Sequence, residues 1–115
     1  MKDYPEFIKD PKNRISPQSQ YTEDIEGYVI DGTDEKQVAF WKCYENRISQ
    51  EHKHDYDEYL IVVEGKYILI FENNKIELSK GDEYFIPKGM KHSGECIANT
   101  RTIHVFNGKR IEKLK

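Results

Sequence analysis

The sequence predicts an all-β domain, either a sandwich or a barrel of short strands. Runs rich in β-branched and aromatic residues recur along the chain, Gly, Asn and Asp turn signals separate them, and no stretch has a convincing helical period. A chain of 115 residues can bury one hydrophobic core but not two. We therefore expect one all-β domain over residues 25–115, preceded by an N-terminal arm over residues 1–24.

Prolines limit the secondary structure that the arm can form. Pro5, Pro11 and Pro17 interrupt it, and proline is excluded from helix interiors and from central strands. Its apolar side chains are Tyr4, Phe7, Ile8, Ile15 and Tyr21. These side chains would let the arm lie over the outside of a barrel or on a partner subunit, while a frayed terminus is the alternative.

Residues 25–45 predict two strands. The first begins at Ile25 and ends at the turn signal DGTDE, and the second is QVAFWKCYE, residues 37–45. Alternation places Ala39, Trp41 and Cys43 on one face and Phe40, Lys42 and Tyr44 on the other. Trp41 is then a core residue, a pocket wall or a subunit anchor.

Five further strands are predicted from residue 58 onward. The runs EYLIVVEG and KYILIFE meet at Gly65 and are interpreted as a hairpin, and Asn73-Asn74 makes a second turn into KIELS. Another turn, residues 79–82, precedes EYFIP. The last strand is RTIHVF, residues 101–106, and the basic tail 108–115 is expected to be solvated.

Ligand-type side chains concentrate in HKHDYDEYLIVVEG, residues 52–65. If this segment is a regular strand, His52, His54 and Glu58 share one face because successive side chains alternate. Two neutral imidazoles and a carboxylate that converge on one point suit a divalent first-row transition metal. The segment therefore predicts part of a metal site.

Two motifs in this chain resemble those of the cupin family. The first motif has a glycine, HxH, a glutamate and a glycine, and this chain keeps its register at His52, His54, Glu58 and Gly65, with Asn46 at the leading glycine position. The second motif is matched by Gly81, Pro87, Gly89 and His92, with Cys96 in place of its asparagine. The resemblance covers roughly residues 37–106.

The resemblance implies a double-stranded β-helix, or jelly-roll barrel, with a metal inside. It implies His52, His54, Glu58 and His92 as the ligands of a divalent transition metal ion such as Fe, Mn, Ni, Zn or Co. Pro87 and Gly89 would form the turn that brings His92 to the other ligands, because proline presets its φ and glycine permits unusual backbone conformations.

The last predicted strand adds a candidate for proton transfer. If alternation holds, Thr102, His104 and Phe106 point into the cavity. The spacing after His92 is similar to that of small cupins that open the ring of uronate sugars, in which an acidic residue stands at the position of His104. Histidine titrates near neutrality and can act as a general acid or base, although a hydrogen-bonded core histidine is the alternative. Tyr56 and Tyr44 are further candidates.

Three hypotheses about function follow. The first is a metal-dependent enzyme that acts on a small polar metabolite such as a sugar acid, of isomerase, lyase or oxygenase type. The second is a non-catalytic cupin that senses a sugar or another metabolite. The third is a structural barrel stiffened by its metal, although structural sites are normally closed by protein ligands. We favour the enzyme because three imidazoles and one carboxylate leave coordination positions for a substrate.

Composition and charge argue against some classes of partner and some locations in the cell. A net charge of -3 and a pI near 5.8 argue against a nucleic-acid surface. No apolar run reaches the roughly 20 residues of a membrane span, and there is no leader pattern, so we expect a cytoplasmic protein. Cys43 and Cys96 are expected to be two buried thiols. A homodimer is expected because small cupins commonly pair.

Overall fold

The computed structural model describes residues 3–16 and 25–113, and its described part is built from strands and two 3-10 turns. The strands are β1 (Ile25–Asp31), β2 (Gln37–Cys43), β3 (Arg47–Ile48), β4 (Glu58–Glu64), β5 (Lys66–Phe71), β6 (Asn74–Ser79), β7 (Glu83–Ile86), β8 (Ser93–Cys96) and β9 (Thr100–Phe106). The 3-10 turns are Pro11–Asn13 and Thr33–Glu35. Over the described ranges, no helix is long and apolar enough to cross a bilayer.

The strands form two antiparallel sheets. One sheet has five strands in the order β1-β2-β9-β4-β7, and the other has four in the order β3-β8-β5-β6. Neighbouring strands within a sheet are mostly distant in sequence, since β9 lies between β2 and β4. Two antiparallel sheets with such crossovers make a jelly-roll barrel, which confirms the predicted fold class.

Alternation along β2 and β9 determines which side chains enter the barrel. Ala39 and Trp41 of β2 are buried, and they stand opposite His104 and Thr102 of β9. Val105, between the inward positions of β9, is among the exposed apolar residues. The predicted faces of both strands are therefore confirmed. His104 points inward because it alternates with Val105, which faces outward.

The predicted hairpin at Gly65 is wrong. Strand β4 pairs with β7 and β9, whereas β5 pairs with β6 and β8, so the chain passes from one sheet to the other at Gly65. Gly65 has a φ of +86°, and a Cβ there would lie 2.4 Å from Oγ1 of Thr100. The corner needs glycine for both conformation and space. Turn residues and strand pattern alone do not distinguish such a corner from a hairpin.

The hairpin between β5 and β6 is present, with its turn one residue earlier than predicted. Phe71 pairs with Asn74, and the two residues between them, Glu72 and Asn73, have φ values of +49° and +65°. Two successive left-handed residues are typical of the tight turn whose twist matches that of paired strands. Strands β3 and β8 were not predicted, because they are too short to show a period.

The first residues of the arm lie on the outer face of the five-stranded sheet, whereas Ile15 is buried in a second cluster with Ala39 and Trp41. On the outer face, Tyr4 and Ile8 are buried with Tyr28, and Phe40 packs against them. The Tyr4 hydroxyl is 2.9 Å from the backbone oxygens of both Trp41 and Thr102, which ties the segment to β2 and β9. Burial of this kind agrees with an arm over the barrel. Pro17 and Tyr21 of the predicted arm lie outside the described residues.

The basic tail is not simply solvated, contrary to prediction. Ile111 is buried, and the amide oxygen of Gln37 accepts hydrogen bonds of 2.8 Å from the backbone N–H groups of both Arg110 and Ile111. The Gln37 side-chain nitrogen donates to the carbonyl of Ile111 at 3.0 Å. A buried glutamine thus pairs the backbone of the tail, a long-range contact that the tail's composition does not reveal. Leu114 and Lys115 lie outside the described residues.

Candidate metal centre

The two cupin-like motifs are joined by backbone hydrogen bonds between His52 and His92. The N–H of His52 donates to the carbonyl of His92 at 2.8 Å, and the reverse bond is 2.9 Å. This isolated pair replaces the regular strand predicted from residue 52, because β4 begins only at Glu58. The Gly89 N–H donates to the carbonyl of His54 at 2.9 Å and fixes the second histidine to the same loop.

The turn before His92 has the predicted form. The N–H of Met90 lies 3.2 Å from the carbonyl of Pro87, and Gly89 has a φ of +84°. Proline presets the entry of this turn, and a side chain at Gly89 would strain its backbone. The turn directs the chain back so that His92 pairs with His52.

Three imidazoles meet at the inner end of these loops. His52, His54 and His92 each offer one ligand atom, and these atoms all lie within 4.8 Å of one another. Nδ1 of His52 is 2.6 Å from the carbonyl of Gln50, and Nδ1 of His92 is 2.8 Å from the carbonyl of Met90. A carbonyl only accepts, so both Nδ1 atoms carry the proton and both Nε2 atoms can coordinate a metal.

The carboxylate of Glu58 adjoins this histidine triad (His52, His54 and His92). Its Oε1 lies 3.3 Å from Nε2 of His54 and 3.7 Å from Nε2 of His92. Within the described ranges, Oε1 of Glu58 and Nε2 of His54 are buried atoms without a hydrogen-bond partner. Buried polar atoms are normally paired, and a cation would pair both at once. Nitrogen and carboxylate donors in this number suit a divalent transition metal.

The other oxygen of Glu58 contacts His104. Nδ1 of His104 lies 2.6 Å from Oε2 of Glu58, and Nε2 of His104 lies 3.0 Å from Oγ1 of Thr102. Since the carboxylate accepts, Nδ1 carries a proton, and in the neutral tautomer Nε2 accepts from the Thr102 hydroxyl. Glu58 therefore faces the histidine triad with one oxygen and orients His104 with the other.

Burial and charge determine the protonation of the site. Burial, together with the repulsion from His92, His54 and Arg110, lowers the pKa of His52 to about 4, and burial lowers the pKa of His92 as well. Burial by itself would raise the pKa of Glu58, but the hydrogen bond from His104 and the proximity of His54 outweigh it and hold that pKa well below its ordinary range. At neutral pH His52 and His92 are therefore neutral and Glu58 is ionised, the forms that bind metals.

The two tyrosines named as candidates lie in different places. The Tyr56 hydroxyl is 3.3 Å from Nδ1 of His54, and the two rings are stacked with centroids 5.0 Å apart. Tyr56 thus contacts a triad histidine through both its hydroxyl and its ring. Tyr44 is not at the site, because it is exposed on the outer face and its hydroxyl bonds to Glu26.

A cavity opens from the triad into the barrel. Besides the histidines and Glu58, it is lined by Ile25, Trp41, Arg47, Ser49, Tyr67, Gly94, Cys96, Thr102, Phe106 and Arg110. Trp41 is therefore a pocket wall. Sequence reasoning missed Arg47, Tyr67 and Arg110. Alternation along β5 could have found Tyr67, but Arg47 and Arg110 lie in segments without a period.

The fold and site define a small barrel protein with an interior histidine triad. The family model described as "Cupin domain" matches residues 41–106, more than half of the chain, so the chain belongs to the cupin family. Cys43 and Cys96 are free and buried, as expected. The motif departures at Asn46 and Cys96 therefore lie within an intact cupin fold.

Among solved structures, the polyketide cyclase RemF from Streptomyces resistomycificus superposes with a TM-score of 0.73 at 18% identity, covering 100% of this chain and 86% of that one. KdgF from Halomonas sp. superposes with a TM-score of 0.66 at 19% identity, covering 80% of this chain and 89% of that one. At these identities the likeness concerns the fold alone.

One curated relative is a transcription regulator. The HTH-type transcriptional activator RhaR of Shigella dysenteriae is 31% identical over 61 residues, which is 53% of this chain and 22% of the regulator. This chain therefore matches about a fifth of that protein's length.

Proposed function

We propose that this cupin is a metal-dependent enzyme that acts on a small polar metabolite such as a sugar acid. The observation that supports it best is the pair of buried, unpartnered atoms, Oε1 of Glu58 and Nε2 of His54, beside two further imidazoles at the end of a lined cavity. His52, His54, His92 and Glu58 would hold a divalent transition metal ion. Such an ion would act as a Lewis acid toward a carbonyl or hydroxyl oxygen of the substrate.

His104 is the proposed proton-transfer residue. It lines the cavity, and Glu58 holds its Nδ1–H so that Nε2 is the nitrogen available to a substrate. Nε2 is occupied by the Thr102 hydroxyl at 3.0 Å. A substrate hydroxyl that takes the place of Thr102 would meet an acceptor already oriented by a carboxylate, the arrangement that makes histidine an effective base.

Tyr56 is proposed as a positioning residue. Its hydroxyl contacts His54 at Nδ1, and its ring stacks on that imidazole. A partner at the second nitrogen fixes the tautomer and the orientation of a metal-ligating histidine. Tyr56 would therefore act on substrate only through His54.

A second function, sensing without catalysis, is supported by the similarity to RhaR, a regulator. The same cavity and triad would then bind a sugar or a related metabolite and shift a conformational equilibrium. Sensing requires ligand binding but no proton transfer, so a sensor would not need His104 as an acid or base.

The two functions are separated by the variant His104→Phe, measured with the metal at saturation. For the enzyme, we expect turnover of a sugar acid to fall by about 10²–10⁴-fold, the usual contribution of general acid–base catalysis, while metal content stays near one ion per chain. For the sensor, wild-type protein would bind the sugar acid without consuming it. Product analysis by NMR, paired with calorimetry on the same samples, distinguishes the two.

The homodimer, the absence of a nucleic-acid partner and the cytoplasmic location stay predictions. In support of the dimer, Phe85 and Val105 are exposed on the outer face and each is in register with Tyr59. Apolar side chains aligned across a sheet are typical of a face that pairs. Light scattering coupled to size-exclusion chromatography tests this, and Val105→Lys should shift a dimer toward monomer.

A further inference from the structure

Tyr67 presents an unpartnered hydroxyl to the cavity. It lies on β5, is only 9% exposed and lines the cavity beside His104, with ring centroids 5.9 Å apart. Among the described residues its hydroxyl has no hydrogen-bond partner. A phenol enclosed in this way normally finds one, so the hydroxyl is suited to a group that enters the cavity.

The backbone opposite Tyr67 leaves room for this hydroxyl. A Cβ built at Gly94 of β8 would lie 1.8 Å from the Tyr67 oxygen, far inside any allowed contact. Any side chain at Gly94 would therefore displace the phenol. Glycine at position 94 leaves space for the Tyr67 phenol. It is not needed for the backbone conformation, since Gly94 does not have the positive φ seen at Gly65 and Gly89.

Arg47 stands in the same row of the four-stranded sheet. Cys96 of β8 pairs with Arg47 of β3 on one side and with Tyr67 of β5 on the other, and all three side chains line the cavity. Two strand spacings separate Arg47 from Tyr67, about 10 Å between Cα atoms. Both side chains are long enough to approach one bound group over the small Cys96 between them.

In this row, Tyr67 and Arg47 both offer hydrogen-bond donors. Burial, and then the nearby Cys96 and Glu58, raise the pKa of Tyr67 well above its ordinary value, so the phenol keeps its proton. Arg47 offers only donors. The acidic group among the described cavity-lining residues is Glu58, which already bonds to His104, whereas Arg47 and Arg110 add positive charge. A pair of donors, one of them cationic, favours an anionic acceptor.

We propose that Tyr67 and Arg47 bind the carboxylate of the ligand, and that this row selects acids over neutral analogues. The inference rests on the proposed function, because it assigns the specificity of the same cavity. Carboxylates accept two parallel hydrogen bonds, and bonds that involve charged partners are the stronger ones. The row thus recognises the acid group while the histidine triad faces another oxygen of the ligand.

The test compares D-galacturonate with D-galactose, which differ by a carboxylate and a hydroxymethyl group. Isothermal titration calorimetry on metal-loaded protein should give a Kd at least tenfold lower for the acid. Tyr67→Phe, which removes only the hydroxyl, should raise the Kd of the acid by about ten- to a hundredfold and leave that of galactose within about twofold. Arg47→Met should do the same.

Two surface variants are the matched controls. Tyr59→Phe removes a hydroxyl that bonds to Glu83 on the outer face, and Lys109→Met removes one positive charge at an exposed position 3.6 Å from Glu112. Both should bind the acid as the wild type does. Equal affinity of Tyr67→Phe and wild type for galacturonate, or a loss shared by the controls, would overturn the assignment.

Metal analysis on the same samples separates this inference from the proposed function. Wild-type protein that holds one metal ion per chain but binds the acid no more tightly than galactose, or binds neither, refutes the carboxylate row and leaves the metal centre standing. Wild-type protein that binds no metal refutes the proposed function. Acid selectivity that persists in metal-free protein and is lost in Tyr67→Phe would support the row alone.

Discussion

Oε2 of Glu58 accepts a hydrogen bond of 2.6 Å from Nδ1 of His104, while Oε1 of the same carboxylate faces the Nε2 atoms of His54 and His92. One side chain therefore links the candidate metal ligands on the loops to a titratable residue on β9. Alternation places both residues inward, because Glu58 begins β4 and stands opposite Phe106, two residues beyond His104. Changes at His104 should consequently be felt at the metal.

Replacing His104 should weaken metal binding without removing a ligand. His104→Phe keeps a ring in the wall but leaves Oε2 of Glu58 without its hydrogen bond. Outer partners of metal ligands are typically worth about 10–100-fold in affinity, and we expect a loss in that range by competition with a chelator. Thr102→Val, which removes only the hydroxyl bonded to Nε2, is the control and should lose less. A metal affinity unchanged in His104→Phe would show that Glu58 does not need this partner.

Metal-free protein should lose stability as the pH falls from about 6.5 to about 4. The folded-state pKa of His52 is about 4 and that of His92 is also lowered, whereas the unfolded chain titrates near 6.5. Between these values the unfolded state binds more protons, so protonation favours unfolding. Thermal melts in the presence of a chelator measure this slope. His52→Gln should flatten it, and an identical slope in that variant would contradict the assigned pKa.

The two glycines with positive φ at Gly65 and Gly81 should differ in their tolerance of alanine. A Cβ at Gly65 would lie 2.4 Å from Thr100 Oγ1, whereas a Cβ at Gly81 would meet nothing within 4 Å, although φ is +86° and +90° respectively. Gly81→Ala should cost about 1 kcal/mol of backbone strain. Gly65→Ala should cost that strain plus a clash, about 3 kcal/mol in total. Urea unfolding measures both, and equal losses would mean that the corner can relax.

Replacing two neighbouring residues of the arm by alanine should lower the stability by different amounts. Ile8 is 7% exposed in the cluster with Tyr4 and Tyr28, whereas Phe7 is 73% exposed. Ile8→Ala should lower the free energy of unfolding by about 2–4 kcal/mol, and Phe7→Ala by less than about 0.5 kcal/mol. Chemical denaturation of the two variants tests whether the arm is part of the folded unit. A silent Ile8→Ala would indicate that the arm is detached in solution.

The features that the sequence predicted correctly depend on residues that lie close together in the chain. Alternation placed Thr102 and His104 inside the barrel and put Trp41 on one face with Ala39, and motif spacing indicated the histidine triad. These succeed because strand geometry has a strict period of two and because a metal site fixes the chemistry of its ligands.

Three failures involve contacts between distant segments. The corner at Gly65 was taken for a hairpin because a turn signal does not say which sheet the next strand joins. The tail packs through Gln37, 74 residues from Ile111 in sequence, and no composition rule reports such a bond. Tyr67 and Arg47 come together only through β8, a strand too short to show a period. Long-range pairing, which the sequence pattern does not encode, decided each case.

The most direct test of the metal centre is metal analysis of the wild type and of His92→Ala, both purified without added metal, exposed to a molar excess of an equimolar mixture of Fe, Mn, Ni, Zn and Co salts and then freed of unbound metal. We expect about one transition-metal ion per wild-type chain and a clear rise in its melting temperature on loading. His92→Ala should remain folded by circular dichroism and hold little or none. Wild-type protein that retains no transition metal, or a His92→Ala variant that binds as much as the wild type, would contradict the claim that this triad is a metal centre.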